Sequence, residues 1–106
     1  MVSFQEFSKL DIRVGKVLEV EDHPNADKLY LLKVDIGEKQ IQLVAGLKQH
    51  YQPQELKNKL IIVLTNLEPK VVRGKESQGM LLAAQSKDTV SMLMPDREVE
   101  VGSVIR

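Results

Sequence analysis

Between Thr65 and Ala84 two apolar runs enclose a polar insert whose side chains could grip an anion. Gly74 and Gly79 bracket Lys75, Glu76, Ser77 and Gln78, with Arg73 just outside. Glycine permits positive φ and close backbone approach to a ligand. Cations and a hydroxyl on such a loop suit contacts to phosphate and ribose oxygens, and Met80 beside them offers a pliable apolar surface. The same composition also describes an ordinary solvated hairpin. Gly74-x-x-x-x-Gly79 has the glycine spacing of a nucleotide-binding loop. Met80-Leu81 stands where that loop needs Lys-Ser/Thr, so its mechanism is missing.

Other chemistries are poorly supplied. His23 and His50 are the only histidines, there is no cysteine, and nothing has metal-ligand spacing, so neither a metal nor a cofactor is expected. Ser77 with a histidine and an aspartate could be drawn as a triad, but no nucleophile-elbow pattern accompanies it. Catalysis by this chain is not expected.

The bulk properties are those of a soluble globular chain: 106 residues, 42% hydrophobic and 28% charged. One domain spanning 1–106 is expected. No apolar run approaches the ~18 residues of a membrane span, and Ser3, Gln5, Glu6 and Lys9 interrupt any signal-peptide core. The absence of cysteine fits a cytoplasmic location. Net charge is zero, but it is unevenly distributed. Residues 41–75 carry Lys48, Lys57, Lys59, Lys70, Arg73 and Lys75 against Glu55 and Glu68, an excess of four positive charges leading into the loop. Such segregation can make an anion-facing surface on a neutral protein, though chance produces it too.

The elements that must position this loop read mostly as short strands. Ser3 and Glu6 form a capping box for a short N-terminal helix that puts Phe4, Phe7 and Leu10 roughly on one face. Ile12 to Glu21 alternates, with Ile12, Val14, Leu18 and Val20 on one face and Gly15 marking a bulge or bend. A turn over 22–27 leads to a second strand, 28–36, with Lys33 and Asp35 outward. Ile41, Leu43 and Ala45 define a third strand. Pro53 to Lys57 suits a small helix, and Leu60–Leu64 and Gly79–Ala84 read as buried strands. Val90–Met94 and Val99–Ile105 supply two more at the end. Five or more strands with a small helix between the third and fourth match an all-β, five-stranded Greek-key barrel of the oligonucleotide/oligosaccharide-binding (OB) type, with a C-terminal β extension.

Four blocks carry a resemblance. Asp11-Ile12-Arg13-Val14-Gly15-Lys16-Val17, His23-Pro24-Asn25-Ala26-Asp27-Lys28-Leu29-Tyr30, Val44-Ala45-Gly46-Leu47 and Asn66-Leu67-x-Pro69 continuing through Arg73-Gly74-x-x-Ser77-x-Gly79-Met80-Leu81-Leu82-Ala83 occur in this order. The chain thereby resembles the tRNA-binding domain family. That family includes free-standing tRNA-binding proteins, the beta subunit or C-terminal domain of methionyl-tRNA synthetases, the endothelial-monocyte-activating polypeptide module and a secretion chaperone. The resemblance implies the same barrel and non-catalytic recognition of the outer corner of folded tRNA, assisting a methionyl-tRNA synthetase. A peptide-binding chaperone and a bare dimerisation module are the alternatives. The aromatic inventory agrees with recognition by shape: no tryptophan, both phenylalanines in the first helix and two tyrosines make a poor stacking platform.

Carried onto this sequence, the resemblance implies tRNA contacts at Asn66, Arg73, Ser77 and Met80, and the residues themselves add Lys33 and Lys75. Arg73 and Lys75 would pair with phosphates, Asn66 and Ser77 would bond ribose or phosphate oxygens, and Met80 would pack on a sugar or base. Asn66 as a strand-end cap and Met80 as core are the competing readings. A homodimer is also expected. The polypeptide branch of the family has a further C-terminal segment that mimics a second subunit, and this sequence reaches Arg106 without it. The apolar side chains assigned to the dimer interface are Phe4, Phe7, Leu10, Met92, Met94, Val99, Val101 and Val104, with Ile105 beside them.

Overall fold

The computed structural model describes residues 1–106. In chain order its elements are α1 (Phe4–Ser8), β1 (Ile12–Asp22), β2 (Tyr30–Asp35), β3 (Gln40–Ala45), α2 (Pro53–Leu56), β4 (Leu60–Leu64), β5 (Lys70–Val72), β6 (Lys75–Ser77), β7 (Met80–Leu81), β8 (Ala83–Ser86) and β9 (Thr89–Met92). β1 is long enough to serve two neighbours. Its first half pairs with β4, from Ile12↔Leu64 to Lys16↔Leu60, and its second half with β2, from Lys16↔Asp35 to Asp22↔Tyr30, all antiparallel. The sheet order β3-β2-β1-β4-β7 curls into a nearly closed five-stranded antiparallel barrel of the OB type. No helix is long and apolar enough to cross a membrane.

Burial explains why some strands alternate and one does not. Val34, Leu32 and Tyr30 of β2 and Ile41, Leu43 and Ala45 of β3 face the barrel core. β4 is apolar throughout because both of its faces are covered. Ile61 and Val63 enter the main core, while Ile62 and Leu64 join Ile12 and Val14 in a second cluster under Leu82 and Ile105. α2 begins at Pro53 and inserts the fully buried Leu56 into the core. Burying such a side chain contributes about 1.5–3 kcal/mol.

The C-terminal segment is a strap on the free edge of β1. Gly102 N–H donates to Val14 O at 2.8 Å, Val14 N–H to Ser103 O at 2.9 Å and Ile105 N–H to Ile12 O at 2.8 Å. Arg13 fastens it, donating from Nη1 to Gly102 O at 3.2 Å and from Nε to Asp11 Oδ1 at 2.8 Å. The Arg13 hydrogen bond holds the Asp11 carboxyl below its ordinary range. This contribution is therefore present above the usual carboxylate pKa and lost as pH falls through the lowered one; the pair is exposed, so it is small.

Several expectations are corrected. The irregularity in β1 lies at Leu18, between the Val17↔Val34 and Glu19↔Lys33 pairs, not at Gly15. Gly15 is instead demanded by packing, since a Cβ there would lie 2.7 Å from Val34 Cγ1. The extra residue reverses the alternation, so Ile12 and Val14 lie in the outer cluster while Val17 and Val20 belong with the barrel core. Gly79–Ala84 is not one strand; it breaks at Leu82, where the chain leaves β4 and forms the β8–β9 hairpin. Val99–Ile105 forms the strap with one isolated bridge, Arg13↔Val104, in place of a strand. Met92 is no surface residue: it is 8% exposed, inside the core, and its N–H donates to Tyr51 Oη at 3.0 Å.

Candidate nucleic-acid interface

β5 and β6 form a hairpin with Lys70↔Ser77, Val71↔Glu76 and Val72↔Lys75 in register. Arg73 and Gly74 alone make its turn, at φ 52° and 87°. Two successive positive φ values mark the turn whose twist suits a tight hairpin. Asn-Gly is its usual sequence, so an arginine at the tip holds a conformation its side chain does not favour. Paired residues share a face. Lys70, Val72, Lys75 and Ser77 therefore line one side, while Val71 and Glu76 occupy the other.

An anchor from the 22–27 turn holds this tip. His23 is 4% exposed, accepting from Asn25 N–H on Nδ1 at 3.0 Å and reaching Val72 O from Nε2 at 2.9 Å. Because Nδ1 accepts, the proton sits on Nε2, which donates to the carbonyl. Asn25 Nδ2 adds a bond to Arg73 O at 3.1 Å. The turn thus does more than join two strands. Nothing local in the sequence signals this, because the contact spans 48 or 49 residues. Removing the clamp with His23→Ala should weaken tRNA binding on the order of ten-fold, the equivalent of ~1.4 kcal/mol. In an Arg73→Ala background filter binding should register little further loss.

On the opposite side the hairpin closes the barrel against β3. Gln78 N–H donates to Gln42 O, and Gln42 N–H donates to Gln78 Oε1, each at 2.8 Å. Gln42 Nε2 donates to Glu76 O at 2.8 Å. Ser77 Oγ accepts from Val44 N–H at 3.0 Å and donates to Gly79 O at 2.9 Å. Ser77 is 8% exposed. Its hydroxyl is committed to the seam, which corrects the expectation of a direct ribose or phosphate bond. Asn66, which stays exposed, serves as the strand-end cap. Its Oδ1 accepts from Asp11 N–H at 2.8 Å and its Nδ2 donates to Lys9 O at 2.7 Å.

Met80 is 48% exposed and lies outside the core. Opposite outcomes follow for the two neighbours. Ser77→Ala leaves the half-buried Val44 N–H unpaired and should lower stability by about 1–3 kcal/mol, with binding falling in step. Met80→Ala should weaken binding with the melting temperature unchanged. Thermal melts beside filter binding separate them.

The basic segment is divided in space. Lys48 pairs with Asp22 at 3.2 Å. Lys57 lines a depression with Glu19 and Glu21, and Lys59 lies beside Tyr51 and Met94. That leaves Lys70, Arg73 and Lys75 on the hairpin, none of them in an ion pair. Lys33 is exposed on β2 opposite Gln42, which bonds the hairpin, but Glu19 flanks it on the other strand. Below the hairpin lies an open cleft of ≈ 500 Å³ walled by Val44, Leu67, Val72 and Met80, with Glu68 and Lys70 also lining it. Gly79 and Ser77 complete it.

Comparison with known proteins places this arrangement. Residues 12–104 match the family model described as "Putative tRNA binding domain". A methionine–tRNA ligase of Pyrococcus horikoshii is 60% identical over 105 residues, 99% of this chain. The chain spans 14% of the length of that relative. Among solved structures, a MetRS-related protein of Pyrococcus horikoshii superimposes with a TM-score of 0.93 at 36% identity, covering 100% of this chain and 98% of that one. A CsaA chaperone protein of Picrophilus torridus gives a TM-score of 0.93 at 37% identity, with 100% of both chains covered. With its barrel, its four sequence blocks and this match over most of its length, the chain belongs to the tRNA-binding domain family.

Proposed function

We propose that this domain binds folded tRNA through the β5–β6 hairpin and the adjoining cleft, performs no chemistry, and raises the tRNA affinity of a methionyl-tRNA synthetase in the cytoplasm, as its C-terminal domain or beta subunit. The observation that carries the reading is the rigid tip. Lys70, Arg73 and Lys75 are free of ion pairs on a hairpin fixed from one side by His23 and Asn25 and from the other by Ser77 and Gln78. Pre-positioned cations meet phosphates without first losing hairpin freedom. Lys33 extends the same surface as a weaker contributor, Met80 packs against a sugar or base, and Ser77 and Asn66 act by holding the backbone. With three phosphates neutralised, log affinity should fall with log salt at a slope of roughly 2–3. A competition assay checks the assignment. Excess unfolded peptide should leave bound tRNA in place, and efficient displacement by peptide would favour the chaperone reading.

The protein acts as a two-fold homodimer in this proposal. Phe4 (80% exposed), Phe7, Leu10, Met94, Val99 and Val104 are exposed, and Val101 is half-buried. Val104 bridges to Arg13, near the start of β1 that follows α1 in the chain. Self-pairing is the commonest way to cover such a surface. Sedimentation equilibrium should return twice the 12.0 kDa chain mass. A monomer that binds tRNA at full strength would remove the dimer from the account.

A further inference from the structure

The cleft beneath the hairpin has features that phosphate binding alone does not need. Four apolar side chains, Val44, Leu67, Val72 and Met80, wall it, and Leu67 and Met80 remain exposed. Its two charged residues have opposite signs, and neither Glu68 nor Lys70 is in an ion pair. An acid here opposes an approaching polyanion unless it meets a hydrogen-bond donor. A nucleotide supplies all three complements: a flat base for the apolar walls, a phosphate for Lys70, and a donor edge for the carboxylate. Sequence-specific RNA recognition takes this form, with unstacked bases held between side chains and read on their hydrogen-bonding edges.

We propose that the cleft seats one unstacked nucleobase, and that Glu68 selects guanine. The proposal rests on the tRNA-binding reading and adds a base-reading site to it. An ionised carboxylate only accepts hydrogen bonds. Guanine offers two adjacent donors, N1–H and the N2 amino group, which match the two oxygens of one carboxylate. Adenine and cytosine present one amino group each, flanked by a ring nitrogen that repels the second oxygen. Uracil presents a single N–H between two carbonyls. Leu67 and Met80 take the place that aromatic side chains hold in other base sites, and the thioether of Met80 adapts to the ring face.

The test uses the full 106-residue chain with ¹³C-methyl methionine, whose four methionines include Met80 at the cleft and the buried Met92 as an internal control. Titration with GMP, AMP, CMP, UMP and inorganic phosphate should move the Met80 methyl resonance and leave Met92 still. GMP should half-saturate at roughly ten-fold lower concentration than UMP, the discrimination of one two-bond base contact. Glu68→Gln should bring the four nucleotides within about two-fold of one another. Equal response to phosphate alone would overturn the base seat, as would equal response to all four nucleotides. A shift produced by an apolar peptide and by no nucleotide would assign the cleft to peptide. Filter binding of intact tRNA to the same sample keeps the two levels apart. Tight tRNA binding with a still Met80 under GMP overturns the base seat alone, whereas loss of both removes the tRNA reading beneath it.

Discussion

Neutralising the hairpin tip with Arg73→Asn and Lys75→Gln together should weaken tRNA binding by about 2–3 kcal/mol, or roughly 30- to 150-fold, while the barrel melts as before. Asparagine is chosen because it adopts positive φ more readily than arginine, so the turn at φ 52° is preserved or made firmer. Neither cation is in an ion pair, so no partner is left unsatisfied by its removal. The salt dependence should change with the affinity. Two lost phosphate contacts should reduce the slope of log affinity against log salt by about 1.4–1.8. An affinity loss without that reduction would mean that the pair acts by shape, and an unchanged affinity would move the phosphate surface elsewhere.

The second large effect concerns the seam that holds the hairpin in place. A Cβ at Gly79 would lie 2.8 Å from Leu64 O and 3.3 Å from both Ile41 Cδ1 and Leu43 Cδ2. The first of these is backbone of a central strand and cannot rotate away. Gly79→Val should therefore cost at least about 3 kcal/mol, lowering the melting temperature by roughly 12–24 °C. Binding should fall with it, because β6 and β7 flank this residue and carry Lys75 and Met80. Gly46→Ala is the matched control, since its Cβ would meet only Leu29 Cδ2 at 3.8 Å. That variant should melt within about 0.5 kcal/mol of the parent.

The contrast between Gly79 and Arg73 shows what was legible in advance. β2 and β3 bury one face against the barrel core, so Tyr30, Leu32 and Val34 and then Ile41, Leu43 and Ala45 repeat at period two. The apolar run of β4 was readable as a buried strand, though not as one covered on both faces. β1 was harder, because one extra residue at Leu18 reverses its alternation and leaves no trace in composition. A hairpin was one reading of the loop, but β5 and β6 could not be bounded: three residues each give no periodicity, and Arg-Gly is not the usual signature of their turn. Of the side chains the loop was expected to present, Arg73 and Met80 are exposed and Lys75 is half-buried.

The roles of Ser77 and Asn66 could not be separated by type. A hydroxyl or an amide looks the same whether it faces a ribose or caps a backbone N–H, and only the partner's position decides. The same holds for His23, which read as part of a plain turn and proved to anchor the tip through Val72 O. Met92 failed for a related reason. Its neighbour Met94 is exposed, and nothing in a two-residue spacing says that Tyr51 will reach one of them and draw it inward.

Shape recognition is the central claim, because three cations and few aromatics can hold a backbone in place but cannot read a long single strand. The most direct measurement is filter binding of one folded tRNA against an unstructured RNA of equal length at the same salt. Equal length gives both ligands the same number of phosphates, and repeating the comparison at higher salt separates shape from the larger counterion release of a folded RNA. The folded tRNA should bind at least ten-fold more tightly, on the order of the ~1.4 kcal/mol expected from one set of pre-positioned contacts. Equal affinity for the two RNAs would contradict recognition of a folded shape and reduce the hairpin to a general anion-binding surface.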